Sequence, residues 1–177
     1  MSLCGKTGRY KEANGLVFDL SLRMKKRNEA APMRAELKPM YDYQWELTLM
    51  GAQLDERILR CPCSGAVEAA VRGHCRKMII TASDIKYGLI SLDQALSENT
   101  FDSFSEEEKA GVLTEALQQM ERSLYLLVKD YVNLMASFEG EAEAEAARNV
   151  LKEFWPKMAE VYQYFKAILM EVEAGTR

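Results

Sequence analysis

The chain has one histidine, four cysteines and four prolines among 177 residues, and these low counts exclude several classes of protein. A single histidine excludes any site that needs two, and the absence of a Glu-x-x-His pair argues against a di-iron bundle. Neither a Gly-x-Gly-x-x-Gly nor a Gly-x-Ser-x-Gly pattern is present. Since the sequence contains no catalytic constellation, we expect a protein that is not an enzyme.

Long apolar runs are also missing, and none approaches the ~20 residues that a membrane span needs. The composition is that of an ordinary globular protein, with 48% apolar and 28% charged residues. The length indicates one domain, or one domain with a small appendage. The first residues contain no apolar segment typical of a signal peptide. We therefore expect a cytoplasmic protein that does not bind membranes.

Charge is unevenly distributed along the chain. Residues 1–40 carry a net charge of +5, whereas residues 98–177 carry −8. A basic arm can mark a nucleic-acid-binding protein, but nine basic residues among the first forty are few for that role. Opposite charges can also attract two parts of one molecule, or two copies of it. The second interpretation is favoured, and we expect no nucleic-acid partner.

Two long helices are predicted in the C-terminal half. Apolar residues recur in alternating steps of four and three from Leu113 to Phe138, and again from Ala147 to Val172. Ser105 and Glu108 have the spacing of a capping box, which predicts where the first helix begins. Gly140 follows its end, because glycine tolerates the left-handed conformation that ends helices. Two helices joined by so short a turn must form an antiparallel hairpin.

The second of these helices contains a proline, and further helices are predicted before the hairpin. Pro156 lies inside the second heptad pattern without changing its phase, which predicts a kinked helix or two collinear helices. Residues 65–78 and 82–97 show the same apolar period over shorter stretches. We expect these segments to complete a helical bundle.

The first part of the chain shows a different period. Apolar and polar residues alternate from Tyr41 to Leu49, which is typical of a strand, and a weaker alternation covers residues 18–24. Residues 58–61 are a candidate third strand. The predicted fold class is therefore α+β and helix-dominated, with a C-terminal antiparallel helical hairpin or bundle and a small N-terminal β-ribbon over residues 16–50. We divide the chain into a ribbon segment, residues 1–62, and a bundle, residues 63–177, which together form one cooperative domain.

The candidate metal ligands are Cys61, Cys63, His74 and Cys75. Three thiolates and one imidazole can hold a structural zinc ion. If residues 65–78 are helical, however, the neighbours His74 and Cys75 point about 100° apart and cannot easily share one metal with the other two. We predict that the chain folds without zinc. The alternative is a zinc-stabilised regulatory or nucleic-acid-associated module.

The apolar stripe over residues 105–138 is wider than one partner helix can cover, which predicts association with another protein or another copy. We expect a non-catalytic interaction module, such as an adaptor, an assembly or secretion chaperone, or an oligomeric scaffold, and we expect a homo-oligomer. A second alternative is a helical bundle that binds a small ligand at the Pro156 kink. The predicted interaction residues are Leu126, Val128, Val132, Met135, Tyr41, Tyr43 and Trp45.

Overall fold

The computed structural model describes residues 37–97 and 104–175, which form four α-helices and, within those ranges, no strand. All described residues belong to one compact unit, which includes the division made between residues 62 and 63. The helix-dominated bundle predicted from the sequence is confirmed. The helices are α1 (Lys38–Leu59), α2 (Gly65–Ser97), α3 (Glu106–Ser137) and α4 (Glu145–Gly175).

The two C-terminal helices run antiparallel. Gln118 of α3 donates a hydrogen bond to Glu173 of α4, and Tyr131 donates to the backbone carbonyl of Leu151. The residue number on α4 falls as the number on α3 rises, so the predicted antiparallel hairpin is confirmed.

The first helix closes the bundle, because α1 packs against both α2 and α4. Its contact with α4 is antiparallel: Arg57 pairs with Glu153, and the ring of Tyr43 stacks on that of Tyr164. Each helix packs mainly against two neighbours, in the order α1, α2, α3, α4 and back to α1. The result is an up-down-up-down four-helix bundle.

The start of α3 and the turn before α4 follow the sequence signals. The Ser105 hydroxyl accepts a hydrogen bond from the backbone N–H of Glu108, whose carboxylate accepts one from the Ser105 N–H. This is the predicted capping box. Gly140 has a φ of +81°, in the left-handed region that glycine adopts at least cost. Both predictions are confirmed.

One helix is longer than the sequence pattern indicates, and another is continuous where two alternatives were open. The segments predicted at residues 65–78 and 82–97 are parts of the single helix α2. Helix α4 continues on both sides of Pro156, which lies in its interior. Burial in the bundle supports both helices where local propensity is weak.

The strand predicted over Tyr41–Leu49 is wrong, because α1 includes all of these residues. The candidate strand at residues 58–61 is also wrong, since α1 continues to Leu59 and a turn follows. Pro39 lies in the first turn of α1, where proline is tolerated. The remainder of the predicted ribbon, residues 16–36, lies outside the described residues.

The buried face of α1 explains why its period is hidden in the sequence. Two members of the helical stripe are polar: Gln44 and Thr48 are both buried, one turn apart. The Gln44 side-chain amide donates to the Thr48 hydroxyl, which in turn donates to the backbone carbonyl of Gln44. These hydrogen bonds satisfy the two side chains inside the bundle. A stripe with polar members does not appear as an apolar period of 3.6.

The interior of the bundle is mainly apolar, and each helix contributes side chains with no exposed surface, including Leu47, Val71, Leu124 and Met158. Most charged residues lie on the outer faces, whereas Lys86 is buried. None of the described helices is both long enough and apolar enough to cross a membrane.

Candidate interaction surface

A groove of about 600 Å³ runs between α2 and α3 on the outside of the bundle. It is open to solvent along one side. Its position differs from that of the predicted ligand pocket, which was placed at Pro156 on α4. The lining residues include Asp84, Tyr87 and Ser91 of α2 and Ala116, Gln119 and Ser123 of α3.

The groove exists because small side chains occupy this helix contact. Gly88 of α2 lies against Met120 of α3, and a Cβ atom on Gly88 would be 2.7 Å from the Met120 Cε. Ser91, Ala116 and Ser123 on the walls are also small. Beyond one end of the groove, Lys77 pairs with Asp130 and joins the two helices.

Exposed apolar side chains lie in this groove or next to it on both helices. Tyr87 of α2 and Val112 of α3 line the groove and are 66% and 37% exposed. Ile80 of α2 and Leu126 of α3 lie outside the lining and are 60% and 54% exposed. Ile80 and Tyr87 are two helical turns apart and therefore lie on the same side of α2. Leu126 extends the row of groove residues on α3 by one turn. We call the groove and these four residues the α2–α3 face.

The contact between α1 and α4, by comparison, is closed by polar side chains. Lys157 of α4 pairs with Glu46 of α1 at 2.8 Å, and its pKa is raised, mainly through that hydrogen bond. The Tyr43 hydroxyl donates to Glu160 at 3.1 Å. Arg57 adds an ion pair with Glu153. Such contacts are satisfied within the chain and leave little for a partner to gain.

The contact between α3 and α4 is closed in a similar way. The Tyr162 hydroxyl of α4 donates to Glu121 of α3 at 2.9 Å, and the Tyr162 ring lies near that of Tyr125. On the α2–α3 face, by contrast, a groove and exposed apolar side chains occur together.

The predicted interaction residues on α3 lie on two different sides of that helix. Val132 is seven residues after Tyr125, so it lies on the side that faces α4. Leu126 instead continues the groove row, on the side that faces α2. Val128 and Met135 are half-buried, and Val132 is exposed. The four residues do not form the single patch that the sequence suggested.

The predicted aromatic row on residues 41–49 is also divided, because these residues form a helix. Tyr41 is buried, and burial is the main cause that raises its pKa to about 12. Tyr43 stacks on Tyr164, with ring centroids 4.2 Å apart. Trp45 is half-buried. Alternate residues on a helix point in different directions, so these three cannot present one aromatic surface.

Sequence reasoning missed Ile80, Tyr87 and Val112. A signal was available on α2, where Ile80 and Tyr87 stand outside the buried stripe and seven residues apart. Their importance depends on which helix packs beside α2, and the sequence does not show that.

The cysteines and the histidine lie in two environments. Cys61 and Cys63 are half-buried in the loop between α1 and α2, and burial is the main cause of the raised pKa of Cys63. Cys75 is buried in α2, and its pKa is raised to about 12, mainly by burial. A thiol with a raised pKa is a poor source of the thiolate that zinc binds. Within the described ranges, no group of three or more His, Cys, Asp or Glu residues is arranged to hold a metal ion.

His74 is buried in the core, where its ring and that of Tyr131 pack edge to face with their centroids 5.1 Å apart. Its Nε2 atom has no hydrogen-bond partner among the described residues. Burial lowers the pKa of His74 to about 4; nearby Asp130 opposes this shift and Lys77 adds to it. The imidazole is therefore neutral at physiological pH and acts as a core side chain.

Comparison with known proteins gave no match to a family model, a curated protein or a solved structure.

Proposed function

We propose that this protein is a non-catalytic interaction module that binds a protein partner through the α2–α3 face. The observation that carries the proposal is the open groove lined by the exposed side chains of Tyr87 and Val112, with the exposed side chains of Ile80 and Leu126 on the same two helices. Adaptors, assembly chaperones and oligomeric scaffolds all use surfaces of this kind. A contiguous exposed apolar surface marks an interaction site more often than a group of scattered apolar residues does.

The shape of the face favours a helical partner. Two antiparallel helices with a groove between them can accept a third helix, whose apolar side chains enter at successive turns. The small residues Gly88, Ala116 and Ser123 allow that helix to approach closely. Tyr87 at the border of the groove is an aromatic anchor of the type that often dominates binding energy.

The expected affinity is moderate. Complete burial of an apolar side chain contributes about 1.5–3 kcal/mol, and the four apolar side chains of the α2–α3 face are already partly covered. Association itself costs at least about 4 kcal/mol in lost freedom of motion. The small surplus fits a reversible complex. The free thiols of Cys61, Cys63 and Cys75 suit a reducing compartment, so we place the complex in the cytoplasm.

Site-specific photocrosslinking tests the proposal. A photoreactive phenylalanine derivative replaces Tyr87 in the full chain, which is expressed in its native cells and irradiated. A matched variant carries the same group at Met170, which is 60% exposed on α4, away from the α2–α3 face. We expect a discrete covalent protein adduct from position 87 and none from position 170. Absence of an adduct at position 87, or the same adducts from both positions, would contradict the proposal.

A further inference from the structure

A column of four charged residues runs along α3 beside the α2–α3 face. Its members are Glu108, Glu115, Arg122 and Lys129, each seven residues after the previous one and each exposed. A seven-residue step returns to nearly the same side of a helix. The column therefore carries two acidic groups at one end and two basic groups at the other.

This order of charges is complementary to itself in the antiparallel direction. If a second α3 lies alongside the first with opposite polarity, Glu115 faces Arg122 of the second copy and Glu108 faces its Lys129. The same registry makes both pairs, and two-fold symmetry repeats each of them. Opposite charges at such positions determine orientation and partner choice between paired helices.

The centre of this charge pattern coincides with the centre of the groove. The charge of the column changes from negative to positive about a midpoint between Gln118 and Gln119, and Gln119 lines the groove near its middle. On α2, Tyr87 borders the middle of the same groove. A two-fold axis through this point would bring the Tyr87 side chains of the two copies together, beside the middle of each groove. The apolar side chains then form the interface centre and the charged column forms its edge, as in known interfaces.

We infer that the α2–α3 face binds a second copy of this chain in the antiparallel direction, with the Tyr87 side chains of both copies at the centre of the interface and the charged column of α3 pairing across the two-fold axis. The inference rests on the proposed function, because it names the occupant of the same face. A self-complementary patch of this kind is what a two-fold dimer requires.

The area of the α2–α3 face determines how tightly two copies are expected to bind. About 20 residues of each helix span about 30 Å, and two helices about 8–10 Å apart present a width of about 20 Å. Each copy would then bury about 600 Å², which lies at the lower limit for a specific interface. We therefore expect a reversible dimer with a micromolar dissociation constant, and one that weakens as salt concentration rises.

Sedimentation equilibrium of the purified full chain, from low micromolar to several hundred micromolar, tests the inference. We expect conversion from the 20.1 kDa chain to twice that mass. Glu115→Arg places two basic groups opposite each other, and Arg122→Glu does the same with two acidic groups. Each variant alone should dimerise at least about tenfold more weakly. Circular dichroism verifies that each variant remains helical.

The decisive measurement is an equimolar mixture of Glu115→Arg and Arg122→Glu. In the mixed dimer the reversed groups face opposite charges at both pairs, so we expect the dimer to return as a heterodimer. Tyr87→Ser should weaken self-association without changing which charge-reversed variants pair with each other. Lys152→Glu, a charge reversal at an exposed position on α4, is the matched control and should leave the dimer unchanged.

A chain that stays at 20.1 kDa at every concentration would overturn the second-copy inference. A dimer that resists all three face variants would overturn it as well, because its interface would then lie elsewhere. In either case, an adduct at position 87 with a different protein would still support the proposed function. Absence of both the dimer and any adduct would contradict both proposals.

Discussion

The hydroxyl of Tyr131 on α3 donates a buried hydrogen bond to the backbone carbonyl of Leu151 on α4, and the two oxygen atoms are 2.6 Å apart. The bond lies beside a gap in the hydrogen bonding of α4. Pro156 has no N–H group, so the carbonyl of Lys152, four residues earlier, receives no helical bond from it. Tyr131 thus supports the neighbouring carbonyl in the turn that proline weakens, and joins the two halves of the C-terminal hairpin.

Tyr131→Phe should destabilise the protein by about 1–2 kcal/mol, because it removes one buried hydrogen bond while keeping the ring. The ring contacts with His74 and Trp155 should persist. Denaturant unfolding followed by circular dichroism measures the change. Tyr43→Phe is the matched control, since its hydroxyl bonds Glu160 on the surface; it should change stability by less than about 0.5 kcal/mol. Equal losses in the two variants would contradict the role given to Tyr131.

Stability should fall as the solution becomes mildly acidic, because of His74. Its pKa is about 4 in the folded protein and near 6.5 in the unfolded chain. Below the unfolded value, the unfolded chain takes up a proton that the folded protein does not. Stability is therefore complete above about pH 6.5 and falls progressively towards about pH 4. Between about pH 7.5 and about pH 5 the loss from this residue should be about 2 kcal/mol.

The measurement compares denaturant unfolding of the wild type and His74→Met across this range. The groups that face His74, namely Asp130, Lys77, Cys75 and Tyr131, remain in both proteins. Carboxylates elsewhere contribute the same background to both. We expect the methionine variant to lose less stability on acidification. Parallel curves for the two proteins would show that His74 does not titrate as described.

Much of the C-terminal hairpin could be predicted from sequence, because its signals are local. The capping box at Ser105 and the glycine at residue 140 determine a helix start and a turn within a few residues. The apolar stripes of α3 and α4 are nearly continuous in sequence, and Leu124 and Val161 are fully buried as such stripes require. Local signals of this kind need no knowledge of neighbouring helices.

The first helix and the interaction face could not be predicted, because both depend on packing between distant segments. α1 buries Gln44 and Thr48, whose mutual hydrogen bonds replace the apolar contacts expected on a buried face. The groove requires Gly88 and Met120 to meet across two helices. Nothing near either residue in sequence indicates that contact.

Gly51→Ala should destabilise the protein, although alanine is more favourable than glycine inside a helix by about 1 kcal/mol. A Cβ atom on Gly51 of α1 would lie 3.2 Å from both the backbone carbonyl oxygen of Cys75 and the Cγ1 of Ile79. The carbonyl belongs to α2 and cannot move without its helix, so overpacking should outweigh propensity and leave a net loss of about 1 kcal/mol. Gly73→Ala on α2 is the control, because nothing lies within 4 Å of its added Cβ. It should gain about 0.5–1 kcal/mol. A gain in both variants would show that α1 and α2 are not in close contact at Gly51.

Leu124→Ala and Leu126→Ala separate the core of α3 from its interaction face. Leu124 is fully buried, and its truncation removes apolar contacts and leaves a cavity, which should cost about 2–5 kcal/mol. Leu126 is 54% exposed on the α2–α3 face, so the same substitution should change the stability of the monomer by less than about 0.5 kcal/mol. Denaturant unfolding followed by tryptophan fluorescence, at a concentration well below the expected dissociation constant, keeps the proposed dimer dissociated and measures the monomer alone. At high concentration the two substitutions should affect self-association in the opposite order. Leu126→Ala weakens the dimer, whereas the folded fraction of the Leu124→Ala protein dimerises normally. A large stability loss from Leu126→Ala in the monomer would instead place that side chain in the core, and the α2–α3 face would lose one of its four apolar members.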